Sequence, residues 1–341
     1  MRDTVHPRAF FPNIQAARAF AALAVVAYHM HVLPFGQAGV DVFFVISGFI
    51  MSCVAPDEGR AFFRKRLVRI VPLYWVTTLG IYAIAVLRPH WLNTTTAAPE
   101  YLVKSLLFVP YVKENGHWGP LNLNGWTLEY EMLFYLAVAA SLGVARARYA
   151  TALAALVLAF LGVAMAIAGT PGTIVHHLGQ PFVLEFGLGV LAYRVLQTLI
   201  ARRIAVPVWM CAAAATAAVA AISLPHAVFG TPQAFTRVAL WGVPACVLIV
   251  SLAALDMRNQ SLSNRIVASL GAASYSIYLI HPYVIGVTEK IVGAHANLQT
   301  WTGIATACAT LGVVCVSGYV CHVRIERPMV SVLNRWLRSP S

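Results

Sequence analysis

The sequence predicts an all-α protein: a polytopic transmembrane bundle of about ten spans, both termini cytoplasmic, forming one domain over 1–341. Three observations lead there. Of 341 residues, 60% are hydrophobic and only 11% charged, whereas soluble domains carry about 25% charged residues. The apolar residues gather into many runs close to the roughly 20 residues that cross a bilayer. Finally, the basic residues divide unevenly between alternate loops. A transmembrane β-barrel would alternate polar and apolar over segments of about 10 residues, and these runs do not alternate. The net charge of +12 suits loops anchored at a membrane face; no soluble basic domain is present to bind nucleic acid.

The spans are expected at 14–33, 37–55, 69–87, 123–142, 150–169, 180–199, 204–224, 235–255, 271–290 and 300–321. The first run follows Arg2 and Arg8, as a signal peptide would. Arg18 interrupts it and further apolar segments follow, so it reads as a retained span. On this register eighteen Lys and Arg residues lie on the N-terminal side. Five lie opposite: Arg88, Lys104, Lys113, Arg237 and Lys290. That bias puts both termini in the cytoplasm. The longest loop, Arg88 to Leu121, is then non-cytoplasmic and holds Trp91, Tyr101, Tyr111 and Trp118. Its segment 101–109 is expected as a short interfacial helix or a re-entrant one. The Ala-rich stretch at 211–221 is ordinary packing material. Cys53, Cys211, Cys246, Cys308, Cys315 and Cys321 form no Cys-x-x-Cys pair and read as small buried hydrophobes.

Ionisable groups inside apolar runs mark the chemistry, because each costs about 2.5–3.5 kcal/mol at a bilayer centre. Arg18 and His29 are eleven residues apart, about 16 Å along a helix and close to three turns, hence on one face. An arginine holds phosphate or carboxylate with its planar fork. A histidine takes a proton from a hydroxyl near neutral pH. A phosphate-bearing donor held at Arg18 would thus present its reactive end to His29 across a shared polar hollow. The plainer alternative is a snorkelling arginine and an interfacial histidine. Asp41 opens the second span on the His29 side and is expected to orient that imidazole or to complement the helix dipole. Ser47 and Gly48 read as close-packing residues. Arg66 and Arg69, three residues apart on one face, end a basic run suited to an anionic ligand or to lipid phosphate.

In the fourth span Glu129 and Glu131 point to different faces, and Glu131 shares one with Tyr135. Glu131 is preferred as functional, the other glutamate being a headgroup candidate, although periodicity does not settle the choice. In the ninth span Ser274, Tyr278 and His281 form one interior stripe. Arg324, Glu326 and Arg327 read as a cytoplasmic ion-pair cluster, and Glu185, His176 and His177 are weaker candidates. No P-loop, dinucleotide fingerprint, His-Glu-x-x-His or Gly-x-Ser-x-Gly occurs. His29 and His31 face different sides of a helix, so no metal site is expected.

These blocks resemble, in order, the motifs of the acyltransferase-3 family of integral-membrane O-acyltransferases, and among them the exopolysaccharide O-acetyltransferase branch. They are Arg18 with His29, GVDVFFVISGFIM from Gly39, the basic run into RIVPLYW from Arg69, WTLEYEMLFY from Trp126, ASYSIYLIHP from Ala273, and ERP from Glu326. The resemblance covers nearly the whole chain. It implies His29 as the catalytic histidine, Arg18 as the arginine handling the acyl-CoA donor, and Glu131 as the acidic position five residues after the tryptophan. Two departures stand out. Gln15-Ala16-Ala17 replaces the usual Asp-Gly before the arginine, and Trp126-Thr127 replaces Trp-Ser. The hydrolase-like extracellular domain that some members carry is not in this sequence.

The expected protein is therefore a multi-pass enzyme of the bacterial inner membrane. It would move an acyl group, expected to be acetyl, from acyl-CoA to a hydroxyl of a polysaccharide or its lipid-linked precursor. Acetyl-CoA is a co-substrate and no permanently bound cofactor is expected. His29, Asp41 and Glu131 would be catalytic, with Arg18, Arg66 and Arg69 holding the CoA. Tyr74, Trp126, Tyr135, Ser276, Tyr278 and His281 would line the site. Membrane lipid and the glycan acceptor are the expected partners, nucleic acid is not, and a homo-oligomer is compatible. The alternative class is a proton-coupled transporter or flippase.

Overall fold

The computed structural model describes residues 11–337 apart from 92–96, 115, 117, 171, 263, 294, 295 and 297. Arg2, Arg8 and Arg338, which contribute to the charge asymmetry, lie outside the described residues. The described chain is helical throughout, with one isolated bridge between Val112 and Trp118 as its only β pairing. The first five helices are α1 (Pro12–His29), α2 (Gly39–Glu58), α3 (Phe62–Leu87), α4 (Pro99–Leu106) and α5 (Trp126–Val144). Then come α6 (Ala147–Ala168), α7 (Ile174–Leu178), α8 (Phe182–Ala201), α9 (Val208–Phe229) and α10 (Ala234–Arg237). The last are α11 (Val243–Met257), α12 (Arg265–Ala272), α13 (Ser274–Val292), α14 (Trp301–Cys321) and α15 (Arg327–Trp336).

Seven helical stretches are long and apolar enough to cross a bilayer, or eight if the bent α12–α13 pair is one span. The ten expected spans are not all reproduced by that criterion, for two physical reasons. Pro34–Leu87 qualifies as one stretch of 54 residues, about 80 Å of helix at 1.5 Å per residue, yet a tight turn at Gly59–Ala61 divides it into α2 and α3. And α1 carries Asn13, Gln15, Arg18 and His29, whose polarity lowers its hydropathy. The expected span 271–290 is not one straight helix: α12 and α13 meet at 74° beside Ala273. The loop segment expected near 101–109 is the short amphipathic helix α4.

Burial is inverted relative to a soluble protein. Apolar side chains point outward on α6 (Phe160, Ile167), α9 (Trp209, Leu224) and α14 (Val316), as lipid contact requires, and the polar groups face inward. The chain is thus a membrane-embedded, multi-pass helical bundle. Its centre is α2, most of whose residues are buried. There α2 meets α8 at near backbone contact. A Cβ on Gly48 would fall 2.0 Å from the Phe186 carbonyl oxygen, and one on Gly189 2.1 Å from that of Val45. Where water is absent, small residues let helices associate through van der Waals contact. Gly48 is therefore the packing residue expected.

Gly48→Ala should lower the thermal unfolding midpoint of the detergent-solubilised protein, since overpacking costs about 1–3 kcal/mol. Gly80→Ala, where an added Cβ meets nothing within 4 Å, should leave the midpoint unchanged or raise it slightly.

Candidate functional site

α1 supplies Arg18 at one end and His29 at the other. Arg18 lines a half-open cavity of about 930 Å³, shared with Ser47, Arg66, Arg69, Thr127, Glu131, Tyr135, Ser274, Tyr275 and Tyr278. Three arginines reach it from two helices, and they differ in what holds them. Arg66 makes a fork with Glu58, 2.8 and 2.9 Å. Arg69 is 3.8 Å from Glu326. Arg18 makes no hydrogen bond or ion pair among the described residues. The nearby Glu131 is occupied otherwise: its Oε1 accepts from Tyr135 and from Ser47, the latter at 3.3 Å. Glu326, with only 2% exposure, also accepts from Ser276 at 2.6 Å and faces His322 Nδ1 at 2.9 Å. A cation in a largely apolar surrounding without a protein counter-ion is a place for an anionic ligand.

His29 is not part of that lining, so the single hollow expected to join it to Arg18 is corrected. It sits at the far end of α1, exposed, with Nδ1 2.9 Å from the Val25 carbonyl and 3.1 Å from Nε2 of the buried His281. A lone pair on Nδ1 would face the Val25 oxygen, so Nδ1 carries the proton and shares it with His281. His281 then keeps its own proton on Nδ1, toward the Ile277 carbonyl at 3.3 Å. This leaves Nε2 of His29 as the free lone pair. Between the two ends stands Tyr278. Its hydroxyl meets that of Thr127 at 3.0 Å, and its ring is 6.0 Å from that of His281.

Asp41 does not orient His29. Both of its oxygens are taken by Arg237, Nε and Nη2 each at 2.8 Å, and no hydrogen bond joins it to His29. Arg237 lies between the rings of Phe182 and Trp241, 5.0 Å from each. Glu185, fully buried, lies alongside. The sequence counted Arg237 as a loop charge; its position just inside the expected span 235–255 was the hint of burial. A π-helical turn, Val238–Gly242, follows it.

Of the other expected site residues, Tyr135 and Tyr278 line the cavity with Arg66, Arg69 and Glu131. Tyr74 is fully buried and donates to the Ser105 carbonyl at 3.0 Å. Trp126 packs on Phe182 and Tyr130. Ser276 serves Glu326, and His281 serves His29. None of these four lines the cavity. Glu129 is not at the headgroups; it is buried and pairs with His177 at 3.2 Å. Ser47, Thr127 and Tyr275 were missed as cavity residues. The first two sit inside recognised blocks, but a hydroxyl alone carries no functional signal in a membrane helix.

Comparison with known proteins bears on this arrangement. Residues 11–322 match the family model Acyl_transf_3, described as an acyltransferase domain. The exopolysaccharide production protein ExoZ of Rhizobium meliloti is 31% identical over 310 residues, 88% of this chain and 91% of that protein. The acyltransferase MdmB of Streptomyces mycarofaciens is 27% identical, covering 95% and 92%. The putative membrane-bound transacylase BcsY of Komagataeibacter xylinus is 26% identical, covering 97% and 87%. No solved structure matches the chain.

Arg237→Leu should destabilise the protein by about 3–5 kcal/mol, because it strands Asp41 as an unpaired buried charge. The double variant Asp41→Leu with Arg237→Leu should recover part of that loss, read as the unfolding midpoint in detergent.

Proposed function

Because the chain belongs to the acyltransferase-3 family, we propose that it is an inner-membrane O-acyltransferase moving acetyl from acetyl-CoA to a hydroxyl of an exported polysaccharide or its lipid-linked precursor. The names of relatives such as ExoZ support the polysaccharide. The topology proposed with it has ten spans and cytoplasmic termini, so that the arginine cavity opens toward cytoplasmic acetyl-CoA.

The observation that carries the reading is Arg18, a cavity arginine with no protein counter-ion, on the same helix as an imidazole with a free nitrogen. The two are about 16 Å apart along α1. A donor fitting that spacing needs anionic groups at one end and its acyl carbon at the end of a long arm, which describes an acyl-CoA. Arg18 and Arg69 would take the phosphates by charge-assisted hydrogen bonds, Arg66 being engaged by Glu58. The arm would run past Thr127 and Tyr278. At its end, Nε2 of His29 takes the proton of the acceptor hydroxyl as the oxygen attacks the thioester carbonyl. The C–S bond then breaks, and the proton passes from Nε2 to the departing thiolate. His281 is a positioning residue: by accepting from Nδ1–H it holds His29 in the tautomer with a basic Nε2. Glu131 touches Ser47 and Tyr135, so its part is to shape the cavity wall and balance its positive charge.

His29→Ala should cut transfer by about 10²–10⁴-fold, measured as ester acetyl on the host's surface polysaccharide with equal protein inserted. Unchanged acetylation would sink the assignment. Arg18→Gln should instead raise the KM for acetyl-CoA. His281→Ala should lower kcat and shift the pH profile while leaving that KM in place.

A further inference from the structure

A second histidine is held as firmly as His29, and the proposed reaction does not use it. His177 lies in α7, whose start is capped by Thr173 accepting from the His176 amide at 3.2 Å. Its Nε2 faces Glu129 Oε2 at 3.2 Å. Trp118 stacks on its ring, centroids 4.5 Å apart and planes within 10°. Tyr130, next to Glu129 on α5, donates from its hydroxyl to the His177 carbonyl. Backbone, ring edge and ring face are all fixed. Since Glu129 is acceptor-only when ionised, His177 donates through Nε2–H. Its Nδ1 makes no hydrogen bond among the described residues. The second Glu129 oxygen, Oε1, is buried without a partner, although Glu129 is only 4% exposed.

The loop bearing Trp118 is tied down as well. Ser105 Oγ receives the Leu121 amide at 3.0 Å and meets the Tyr111 hydroxyl at 3.0 Å. Tyr111 stacks on Tyr101, 4.7 Å between centroids. This site also shares an end of the bundle with the His29–His281 pair. Asn124, five residues before Glu129, donates to the Tyr278 carbonyl and lies 3.4 Å from His281. The two sites therefore flank the same end of α5 on different faces, with Thr127 and Glu131 turned to the cavity and Glu129 turned away from it.

We infer that Trp118, His177 and Glu129 form the binding site for the acceptor, a neutral saccharide bearing the hydroxyl that is acylated or its neighbours along the chain. This rests on the acyltransferase reading above. The chemistry selects the ligand class. A half-buried indole offers a face to the C–H side of a sugar ring. The imidazole nitrogen Nδ1, without a partner among the described residues, accepts a hydrogen bond from its hydroxyl edge, and the buried Glu129 carboxylate holds that imidazole through Nε2. A carboxylate repels an anion, so the CoA phosphates are directed to the arginine cavity and away from this site. Acceptor and donor thus have sites of opposite character on either side of α5.

The test uses the full-length protein in detergent, with [14C]acetyl-CoA and host polysaccharide stripped of esters by mild alkali. Trp118→Ala should raise the KM for polysaccharide about tenfold and leave the KM for acetyl-CoA unchanged. His177→Gln and Glu129→Gln should do the same, and Trp118→Phe should restore most of the loss. The unchanged acetyl-CoA KM and unfolding midpoint certify each fold, and His177→Gln stands in if Trp118→Ala is not stable. A polysaccharide KM indistinguishable from that of the unsubstituted protein in both Trp118→Ala and His177→Gln overturns the proposal. If the unsubstituted protein transfers no acetyl, the acyltransferase reading fails instead. Retention of the protein on immobilised stripped polysaccharide then decides the saccharide site by itself, with loss of retention in His177→Gln supporting it and full retention overturning it.

Discussion

Charge inside a low-dielectric bundle must be matched by charge or hydrogen bonds, and that constraint organises this protein. Breaking a buried pair costs several kcal/mol because the remaining partner stays unsolvated. Most of the interior obeys it, with Glu185 the buried carboxylate whose oxygens make no hydrogen bond among the described residues. Asp41 is forked by Arg237, Glu129 has His177, and Glu326 gathers Arg69, Ser276 and His322. Glu131 has two hydroxyls. Against that background Arg18 stands out. Glu131 and Glu326 act on it only at a distance, and nothing among the described residues lies within hydrogen-bond reach to complete it. Most interior charges have a partner, while Arg18 lines the cavity without one among the described residues and is open to a ligand.

Local irregularities in the helices put these groups where they meet. The 74° break between α12 and α13 brings Ser274 and Tyr275, at the very start of α13, to the cavity wall. Two π-helical turns occur among the described residues, and each adjoins or contains an interior charge: Val238–Gly242 follows Arg237, and His322–Glu326 contains Glu326. An extra residue in a turn rotates the helix before it relative to the helix after it, so a side chain can face inward where the regular period would carry it elsewhere. The near backbone contact of Gly48 with α8 draws α2 and α8 together around Asp41 and Glu185. Packing and electrostatics support one another here, since the closer the helices, the drier the pair.

Much of the site was legible in the sequence because it is encoded within single helices. Arg18 and His29 belong to one helix and their spacing is a matter of turns. Glu131 with Tyr135, and Arg66 with Arg69, follow the same periodicity. The interior stripe Ser274, Tyr278 and His281 is buried as a stripe should be. What could not be read was the choice of partner between helices. Asp41 and Arg237 are 196 residues apart, and helical periodicity says which face a residue occupies, not what stands opposite. His29 found a histidine where a carboxylate was expected, since the carboxylate had a stronger claimant in Arg237. Hydropathy alone finds fewer stretches than the ten expected for a related reason: α1 carries Asn13, Gln15, Arg18 and His29, so the helix holding two of the candidate site residues has a weak membrane signal.

On the proposed reading, the spacing between Arg18 and His29 has a consequence for the donors that an acyltransferase of this build would accept. α1 holds no glycine and no proline after Pro12, so it has no built-in hinge. It packs on α2, α11, α12 and α13, which hold it from several sides. The distance from anion site to base is therefore set by a rigid rod and not by a domain closure. A donor is measured against that rod, because its anionic end and its thioester must reach both ends at once. Effective catalysis by proximity needs reacting atoms about 3–3.5 Å apart, so a carrier with a shorter arm would bind at Arg18 and still fail to bring its carbonyl to Nε2. Thr127 and Tyr278, whose hydroxyls meet at 3.0 Å, stand between the cavity and His281. The donor's arm must run beside them or part them. Selection of the donor by length thus comes from a helix that cannot bend, and the side chains along its path need only guide the arm.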